Sequence, residues 1–126
     1  MTRPAITRDD YFTGPPRRRR DLIYRSDLTP AIEAQAAITV ERVNALLARM
    51  AAADVLLEPS PATGSLSHSG WRPPAINAAT PNAAPKSKHM IGAACDLYDP
   101  EGSLDAWCMA NLDALEAIGL WLEHPA

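Results

Sequence analysis

The sequence predicts an α+β domain with helices packed on a small, mainly antiparallel sheet. Three observations support this prediction. A long amphipathic segment begins at Thr29, a second one begins at Ser103, and short apolar segments lie between turn-forming residues around them. Amphipathic helices and short strands bury their apolar faces against one another, so we expect them to share one hydrophobic core.

Length and composition indicate one soluble globular domain. The chain has 126 residues, of which 47% are hydrophobic and 21% are charged, and this length suffices to bury a core. The net charge of −3 argues against a general nucleic-acid-binding protein, because such proteins carry a basic excess. No apolar run approaches the roughly 20 residues that cross a bilayer, so we expect no membrane insertion. We expect Cys95 and Cys108 to be buried free thiols, since two cysteines are too few for a disulfide framework.

Residues 1–28 are predicted to form an irregular N-terminal segment. Gly14, Pro15 and Pro16 interrupt regular structure, and four arginines follow at positions 17–20. Such a run could contact phosphate or an anionic cell-wall polymer, although a solvated, mobile segment is its commoner role. The first residues lack the apolar stretch of a secretory signal, so we expect the chain to be made in the cytoplasm.

The first helix is predicted to run from Thr29 to about Ala53. Thr29 can cap the helix, and Pro30 suits its first position. We therefore expect one side of this helix to face the core. That side carries apolar residues at helical spacing, namely Ile32, Ala36, Val40, Val43, Leu47 and Met50.

Three short strands and a second helix are predicted after the first helix. Residues 73–88 contain four prolines and are predicted to form an irregular loop. Ser103 is expected to cap the second helix and Gly119 to end it, after which residues 120–123 begin another strand. Three segments have the apolar or alternating pattern of strands: residues 54–59, 66–71 and 93–98.

A histidine and an aspartate within residues 87–96 are the strongest functional signal. This run reads Ser-x-His-x-x-Gly-x-Ala-x-Asp and contains His89 and Asp96. A neutral imidazole and a carboxylate are good zinc donors, and a catalytic zinc needs three protein ligands and one open position. The small residues between them would let the backbone pass close to a metal. A lone histidine is more often a core or surface residue, and Asp96 could be a turn residue, a role that Asp99 before Pro100 suits better.

A second motif, Ser-Gly-Trp-Arg-Pro-Pro, occupies residues 69–74. Its arginine, Arg72, follows the end of a predicted strand, where the guanidinium could reach into a cleft; a surface ion pair is the alternative. Ser87 could orient the loop that carries His89 by hydrogen bonding. We expect His68 to be structural rather than a metal ligand.

Together the two motifs resemble those of the M15 family of zinc D-Ala-D-Ala carboxypeptidases and phage endolysins, the LAS-type peptidoglycan peptidases. The chain is similar above all to small phage-encoded members, in which Ser-Gly-Trp-Arg-Pro-Pro and Ser-Lys-His recur together. The likeness extends to residues 104–108 and 119–125, so it covers roughly residues 29–126. It implies a LAS/hedgehog-like peptidase fold for that range, which agrees with the α+β class that the residues predict.

The resemblance also implies roles for individual residues. His89 and Asp96 match two zinc ligands, and Arg72 matches an arginine that binds substrate and stabilises the developing oxyanion beside zinc. The family's third ligand is a histidine on a C-terminal strand, whereas the stretch here that contains Glu123 and His124 corresponds to residues before that strand. His124 is therefore a poor substitute for the third ligand, Glu123 is a candidate general base, and residues 29–126 resemble a C-terminally incomplete domain.

The function that these expectations imply is a zinc-dependent peptidase that cuts an amide bond in peptidoglycan stem peptides, as a carboxypeptidase or an endopeptidase. The cofactor would be Zn²⁺, the partner would be the stem peptide, and phage-associated lysis would take place at the cell wall or periplasm after release. The alternative is a catalytically incompetent cell-wall-binding or virion structural protein that retains the fold. The residues leave open which bond is cut, the export route and the oligomeric state.

Overall fold

A computed structural model of the chain describes residues 4–122 as a small α+β protein with two two-stranded antiparallel sheets. None of the helices in this range is long and apolar enough to span a membrane. Two 3₁₀ turns lie at Arg25–Asp27 and Lys88–Ile91. The helices and strands, in chain order, are α1 (Arg8–Phe12), β1 (Thr13–Gly14), β2 (Arg18–Arg19), α2 (Arg20–Ile23), α3 (Pro30–Ala52), β3 (Ser67–Ser69), α4 (Pro74–Ala79), β4 (Asp96–Leu97), α5 (Ser103–Ala110) and α6 (Leu112–Ile118).

Helix α3 is the scaffold of the fold. The Thr29 hydroxyl accepts a hydrogen bond from the backbone N–H of Ile32 at 3.2 Å, and Pro30 occupies the first turn, so the predicted start and length of this helix are confirmed. Its buried face contributes side chains to all three hydrophobic clusters of the described core. The first cluster contains Ile6, Val43, Leu47 and Leu66; the second contains Tyr11, Phe12, Ala36 and Trp71; the third contains Leu46, Met50, Cys108 and Leu115.

The N-terminal segment is more regular than the sequence predicts. It contains two short helices, a two-stranded hairpin and a 3₁₀ turn. Tyr11 and Phe12 are buried almost completely and pack in one cluster with Trp71. The arginine run is not uniformly solvated either, because Arg18 is exposed whereas Arg20 is buried. Burial of aromatic side chains thus orders a segment whose local sequence signals are weak.

The predicted strands are shorter than expected, and the one over residues 54–59 is wrong. β3 and β4 lie inside the predicted ranges and pair antiparallel. Asp54, however, adopts a left-handed conformation with φ of 61°, and the backbone N–H of Val55 donates to the carbonyl oxygen of Met50 at 2.8 Å. This turn occupies the backbone N–H of Val55, which a strand would need for a hydrogen bond to a neighbouring strand. Residues 120–122 contain no strand either, and residue 123 lies outside the described residues.

The later helices also differ from the prediction. Residues 73–88 are not wholly irregular, because α4 begins at Pro74, in the helical position that suits proline. The predicted second helix is divided at Asn111 into α5 and α6. Asp99 caps α5 in place of Ser103, since its carboxylate accepts hydrogen bonds from two backbone N–H groups of the first turn, at 3.0 and 3.1 Å. Gly119, with φ of 98°, ends α6 as predicted.

Candidate metal and substrate site

The two sequence motifs meet in space. β3 pairs with β4, and this pairing sets Ser69 opposite Asp96. The 3₁₀ turn Lys88–Ile91 joins them, because the backbone N–H of Arg72 donates to the carbonyl oxygen of His89 at 3.0 Å. Residues that are distant in sequence therefore form one site.

His89 is buried, and its ring orientation is fixed. Its Nδ1 lies 2.7 Å from the carbonyl oxygen of Gly70. Because a carbonyl oxygen can only accept, Nδ1 carries a proton, and the neutral ring presents the lone pair of Nε2. The backbone N–H of His89 donates to Oγ of Ser87 at 3.2 Å, so Ser87 orients the turn as the sequence predicts.

The Nε2 atom of His89 lies 3.4 Å from Oδ1 of Asp96. In this tautomer both atoms are acceptors, so their approach is favourable only with a cation between them, either a proton on Nε2 or a metal ion. Two zinc ligands at about 2.0–2.2 Å in a tetrahedral arrangement stand roughly 3.3–3.6 Å apart. The observed separation therefore fits an ion pair and also fits a shared metal without rearrangement.

Asp96 is the solvent-exposed member of this pair, since 54% of its side chain is exposed. Partial burial raises the pKa of Asp96, but with a proton on Nε2 of His89 the hydrogen bond and positive charge of that residue, together with the charge of Arg72, outweigh burial and lower the pKa below its ordinary value. The carboxylate is therefore ionised at neutral pH, which is the form that a metal ligand requires.

Two glycines allow close packing behind the pair. A Cβ at Gly70 would overlap the backbone oxygen and ring of Tyr11. Gly92 has φ of 80°, and a Cβ there would stand 2.9 Å from the carbonyl oxygen of Ile32 in α3. Thr39 of α3 also donates to the carbonyl oxygen of Gly92 at 2.6 Å. The small residues of the motifs thus seat the site on α1 and α3.

Arg72 lies beside the pair, since its backbone N–H donates to the carbonyl oxygen of His89, and its positive charge lowers the pKa of Asp96. The side chain is partly buried, and Nη1 lies 3.4 Å from Oδ1 of Asn77, a long and weak hydrogen bond. Asn77 is itself anchored by a bond from Nδ2 to the carbonyl oxygen of Ala84 at 2.9 Å. The other guanidinium donors of Arg72 form no hydrogen bond with the described residues.

His68 sits beside the pair and has partners of its own. Its Nδ1 lies 2.9 Å from Oγ of Ser60, and its ring centroid lies 6.4 Å from that of Tyr98. These contacts give His68 a place in the wall of the site.

Two residues of the N-terminal segment contact the site although sequence analysis does not identify them. Oη of Tyr11 donates to the carbonyl oxygen of Ala94 at 2.8 Å. Nη1 of Arg20 donates to Oγ of Ser69 and to the carbonyl oxygen of Trp71, each at 3.0 Å. The signal for Tyr11 is an aromatic pair inside a charged stretch, whereas no local signal separates Arg20 from the three arginines before it.

The two remaining candidates, Glu123 and His124, lie outside the described residues. Within residues 4–122, no group of three or more His, Cys, Asp or Glu side chains is arranged to hold a metal ion. In that range the candidate metal site therefore consists of two residues, His89 and Asp96.

Comparison with known proteins adds no relative of this chain. No protein-family model matches it, and neither does a curated protein or a solved structure. The resemblance to M15 peptidases therefore depends on the sequence likeness alone, chiefly on the two motifs.

Proposed function

We propose that this chain is a zinc-dependent peptidase that cleaves an amide bond in peptidoglycan stem peptides, as a carboxypeptidase or an endopeptidase. The observation that carries the proposal is the pairing of His89 with Asp96 while Nδ1–H of His89 is held by a backbone carbonyl. Metal-binding histidines commonly donate their second ring N–H in this way, because the bond fixes the tautomer and the ring orientation. The motifs supply the substrate class and a LAS/hedgehog-like fold as parts of the same proposal.

In this proposal His89, through Nε2, and Asp96, through Oδ1, would hold the zinc ion. A bound zinc lowers the pKa of a water ligand to about 7 and polarises a carbonyl group. The contacts of both residues favour the required forms: Nδ1–H of His89 donates to the carbonyl oxygen of Gly70, which leaves the lone pair on Nε2, and the positive charge of Arg72 favours the ionised form of Asp96. The exposed side of Asp96 leaves room for a peptide to approach.

Arg72 is the proposed substrate- or oxyanion-binding residue. A guanidinium keeps its charge at every physiological pH and presents several donors in one plane, which suits a carboxylate or a developing oxyanion. The hydrogen bond from its backbone to His89 ties its position to that of the proposed metal ligand. Glu123 as general base and His124 as a further ligand remain candidates from the sequence.

Isothermal titration calorimetry with zinc tests the metal part of the proposal. We expect the wild type to bind zinc and both His89→Ala and Asp96→Asn to weaken binding at least about 100-fold, since changes of outer-shell residues alone cost 10–100-fold. His68→Ala is the matched control, because it removes a neighbouring imidazole that has Ser60 as its partner. Equal zinc affinity of the wild type and His89→Ala would refute this site.

Release of soluble muropeptides from purified peptidoglycan tests the enzymatic part. We expect release that stops on chelation, returns with added zinc and is lost in His89→Ala. We expect the circular dichroism spectrum of His89→Ala to match that of the wild type. Loss of activity through unfolding would instead mark His89 as a structural residue.

A second candidate is a cell-wall-binding or virion structural protein without catalytic activity. The observation that favours it is that the described residues bring two potential ligands together rather than the three of a catalytic zinc site. Co-sedimentation with peptidoglycan that is unchanged in His89→Ala, without muropeptide release, would support this candidate and overturn the peptidase.

A further inference from the structure

We propose that His68 binds the substrate: its Nε2–H group donates a hydrogen bond to an amide carbonyl of the bound peptide. The inference rests on the proposed function for the identity of that peptide, and it adds a residue that lies outside the two sequence motifs. A hydrogen bond to the peptide requires neither zinc nor catalysis, so the two proposals can fail separately.

His68 is the extra residue of a β-bulge. Ser67 of β3 pairs with Leu97 of β4. Ser69 pairs with Asp96, the residue directly before Leu97, so three residues of β3 oppose two of β4. Bulges are frequent beside active sites, because the extra residue re-aims a side chain. Ser67 and Ser69 are buried whereas His68 is partly exposed, so His68 is the residue of β3 that is most open to solvent.

The side chain of His68 lies on the face of β4 that carries Asp96. Its ring centroid is 6.4 Å from that of Tyr98, a separation typical of aromatic pairs. Tyr98 extends the pairing of β4, since its backbone N–H donates to the carbonyl oxygen of Leu66 at 3.0 Å. Residues two apart in a strand point to the same face, so Tyr98 and Asp96 share one face and His68 lies against it.

Ser60 fixes the tautomer of His68. Ser60 is only 1% exposed, and its Oγ accepts a hydrogen bond from the backbone N–H of Ala62 at 3.2 Å and lies 2.9 Å from Nδ1 of His68. Among the described residues, this Nδ1 is the one acceptor within reach of the hydroxyl proton. Because a buried hydroxyl group seldom leaves its proton without an acceptor, Ser60 donates to Nδ1, and the neutral ring carries its own proton on Nε2.

The two imidazoles of the site present opposite groups to a ligand. Nε2 of His68 forms no hydrogen bond with the described residues, and the partial exposure of the residue leaves its N–H open to an acceptor. In His89 the proton is on Nδ1, where the carbonyl oxygen of Gly70 accepts it, and Nε2 presents a lone pair. His89 therefore suits a metal ion, whereas His68 suits a hydrogen-bond acceptor of the substrate.

A peptide carbonyl suits the donor of His68 better than an anionic group does. A carboxylate or phosphate there would be repelled by the ionised Asp96 on the same face. An amide carbonyl is uncharged and is satisfied by a single N–H donor. Because the zinc ion and Arg72 are proposed for the carbonyl of the bond to be cut, His68 would bind a neighbouring amide of the same peptide.

Long-range ¹H–¹⁵N NMR of the zinc-free protein, kept in chelator, tests both the tautomer and the contact. The probe is N-acetyl-D-Ala-D-Ala amide, which is blocked at both ends so that it has carbonyl groups but no charge. In spectra recorded at about pH 8.5, where an ordinary imidazole is neutral, we expect the proton of His68 on Nε2 and that of His89 on Nδ1. The probe should shift the Nε2 resonance of His68.

Variants of His68 separate hydrogen bonding from packing. His68→Phe keeps an aromatic ring but loses the N–H donor, and we expect it to bind the probe about three- to tenfold more weakly, the usual effect of one neutral hydrogen bond. His68→Gln places an amide N–H close to the position of Nε2 and should bind within about twofold of the wild type. Tyr98→Phe is the matched control, because it keeps the ring beside His68, and it should bind like the wild type. If packing alone mattered, His68→Phe would bind better than His68→Gln.

The outcomes separate this proposal from the proposed function. Equal binding of the probe by the wild type and His68→Phe, an unprotonated Nε2 in His68, or no response of this ring to the probe overturns the role of His68. Should both variants fail to fold, the tautomer and the ring response of the wild type still decide. A role of His68 without muropeptide release leaves the peptidase proposal to fail alone. Muropeptide release by His68→Phe with unchanged catalytic efficiency supports the peptidase and overturns the role of His68.

Discussion

The N-terminal segment, residues 4–28, and the motif segment, residues 69–96, contribute to the same site in different ways. The motif segment carries His89 and Asp96 at a spacing that is visible in the sequence. The N-terminal segment carries no such motif, yet Tyr11 holds the backbone before Asp96 and packs against the backbone that orients His89. The identity of the proposed ligands is thus a local property, whereas their positions depend on contacts that are remote in sequence.

Ion pairs stabilise the N-terminal segment internally, and one of them reaches α3. The side chain of Asp21 is almost fully buried and pairs with Arg8 at 3.0 Å and with Arg19 at 2.8 Å. Burial raises the pKa of Asp21, but the bonds from Arg19 and Arg8 outweigh it, so the pKa lies below its ordinary value. Arg8 also pairs with Glu33 of α3. The aromatic side chains therefore provide the main attachment to α3, and the half-exposed Arg8–Glu33 pair adds little to it.

The largest expected effect comes from breaking the contact between the two segments at Gly70. Gly70→Ala would drive a methyl group into the backbone oxygen and ring of Tyr11. Because backbone atoms cannot move aside alone, we expect a loss of about 3 kcal/mol in the free energy of unfolding. Urea denaturation followed by circular dichroism measures this change.

Gly102→Ala is the control for Gly70→Ala. A Cβ at Gly102 meets no heavy atom within 4 Å, although φ of 75° strains any L residue. The strain alone should cost about 1–2 kcal/mol. Gly70 is not among the glycines with positive φ, so such strain cannot explain a loss in Gly70→Ala, and a Gly70→Ala protein as stable as the wild type would show that the two segments do not crowd there.

A smaller effect is expected where Tyr11 supports the strand of Asp96. Tyr11→Phe removes the bond to the carbonyl oxygen of Ala94, and we expect a loss of about 1 kcal/mol in the free energy of unfolding. Zinc affinity should fall by no more than about tenfold, the lower end of the range for outer-shell residues, because Tyr11 bonds the backbone of Ala94 rather than a proposed ligand. Tyr24→Phe is the matched control, since Tyr24 packs against the same cluster. Unchanged stability of Tyr11→Phe would show that the hydroxyl does not hold the two segments together.

The two segments also differ in how far the sequence could predict them. The capped, amphipathic α3 and the glycine that ends α6 have local signals, and both are confirmed. The strand over residues 54–59 is wrong because a short apolar run needs a partner strand, and here the chain turns at Asp54 instead. Nothing in the local sequence predicts the burial of Arg20, because this burial depends on Gly14 and on β3, which only the tertiary fold brings together. In the candidate site, the motif spacing identified His89 and Asp96 as possible ligands. It did not identify Tyr11 and Arg20, which contact the site from the N-terminal segment.

The smallest expected effect concerns charge inside the motif segment. In zinc-free protein, Asp96→Asn removes the carboxylate that faces His89. Although burial raises the pKa of Asp96, its positive neighbours keep the folded-state pKa below the ordinary value of 3.8, so the ionised group stabilises the fold above that pH. Because 54% of the side chain is exposed, solvent screening should hold this contribution below about 1 kcal/mol.

Unfolding free energies of the wild type and Asp96→Asn at two pH values measure this contribution. The wild type should be the more stable at about pH 6, and the difference should disappear as the pH falls through the folded-state pKa of Asp96. A stability difference that persists in acid would mean that the new Asn side chain disturbs the packing of β4, and that loss of the charge is not the cause. If the two proteins are equally stable at about pH 6, the 3.4 Å approach of His89 and Asp96 contributes no stabilising ion pair without metal, and the case for a metal ion as the shared cation becomes stronger.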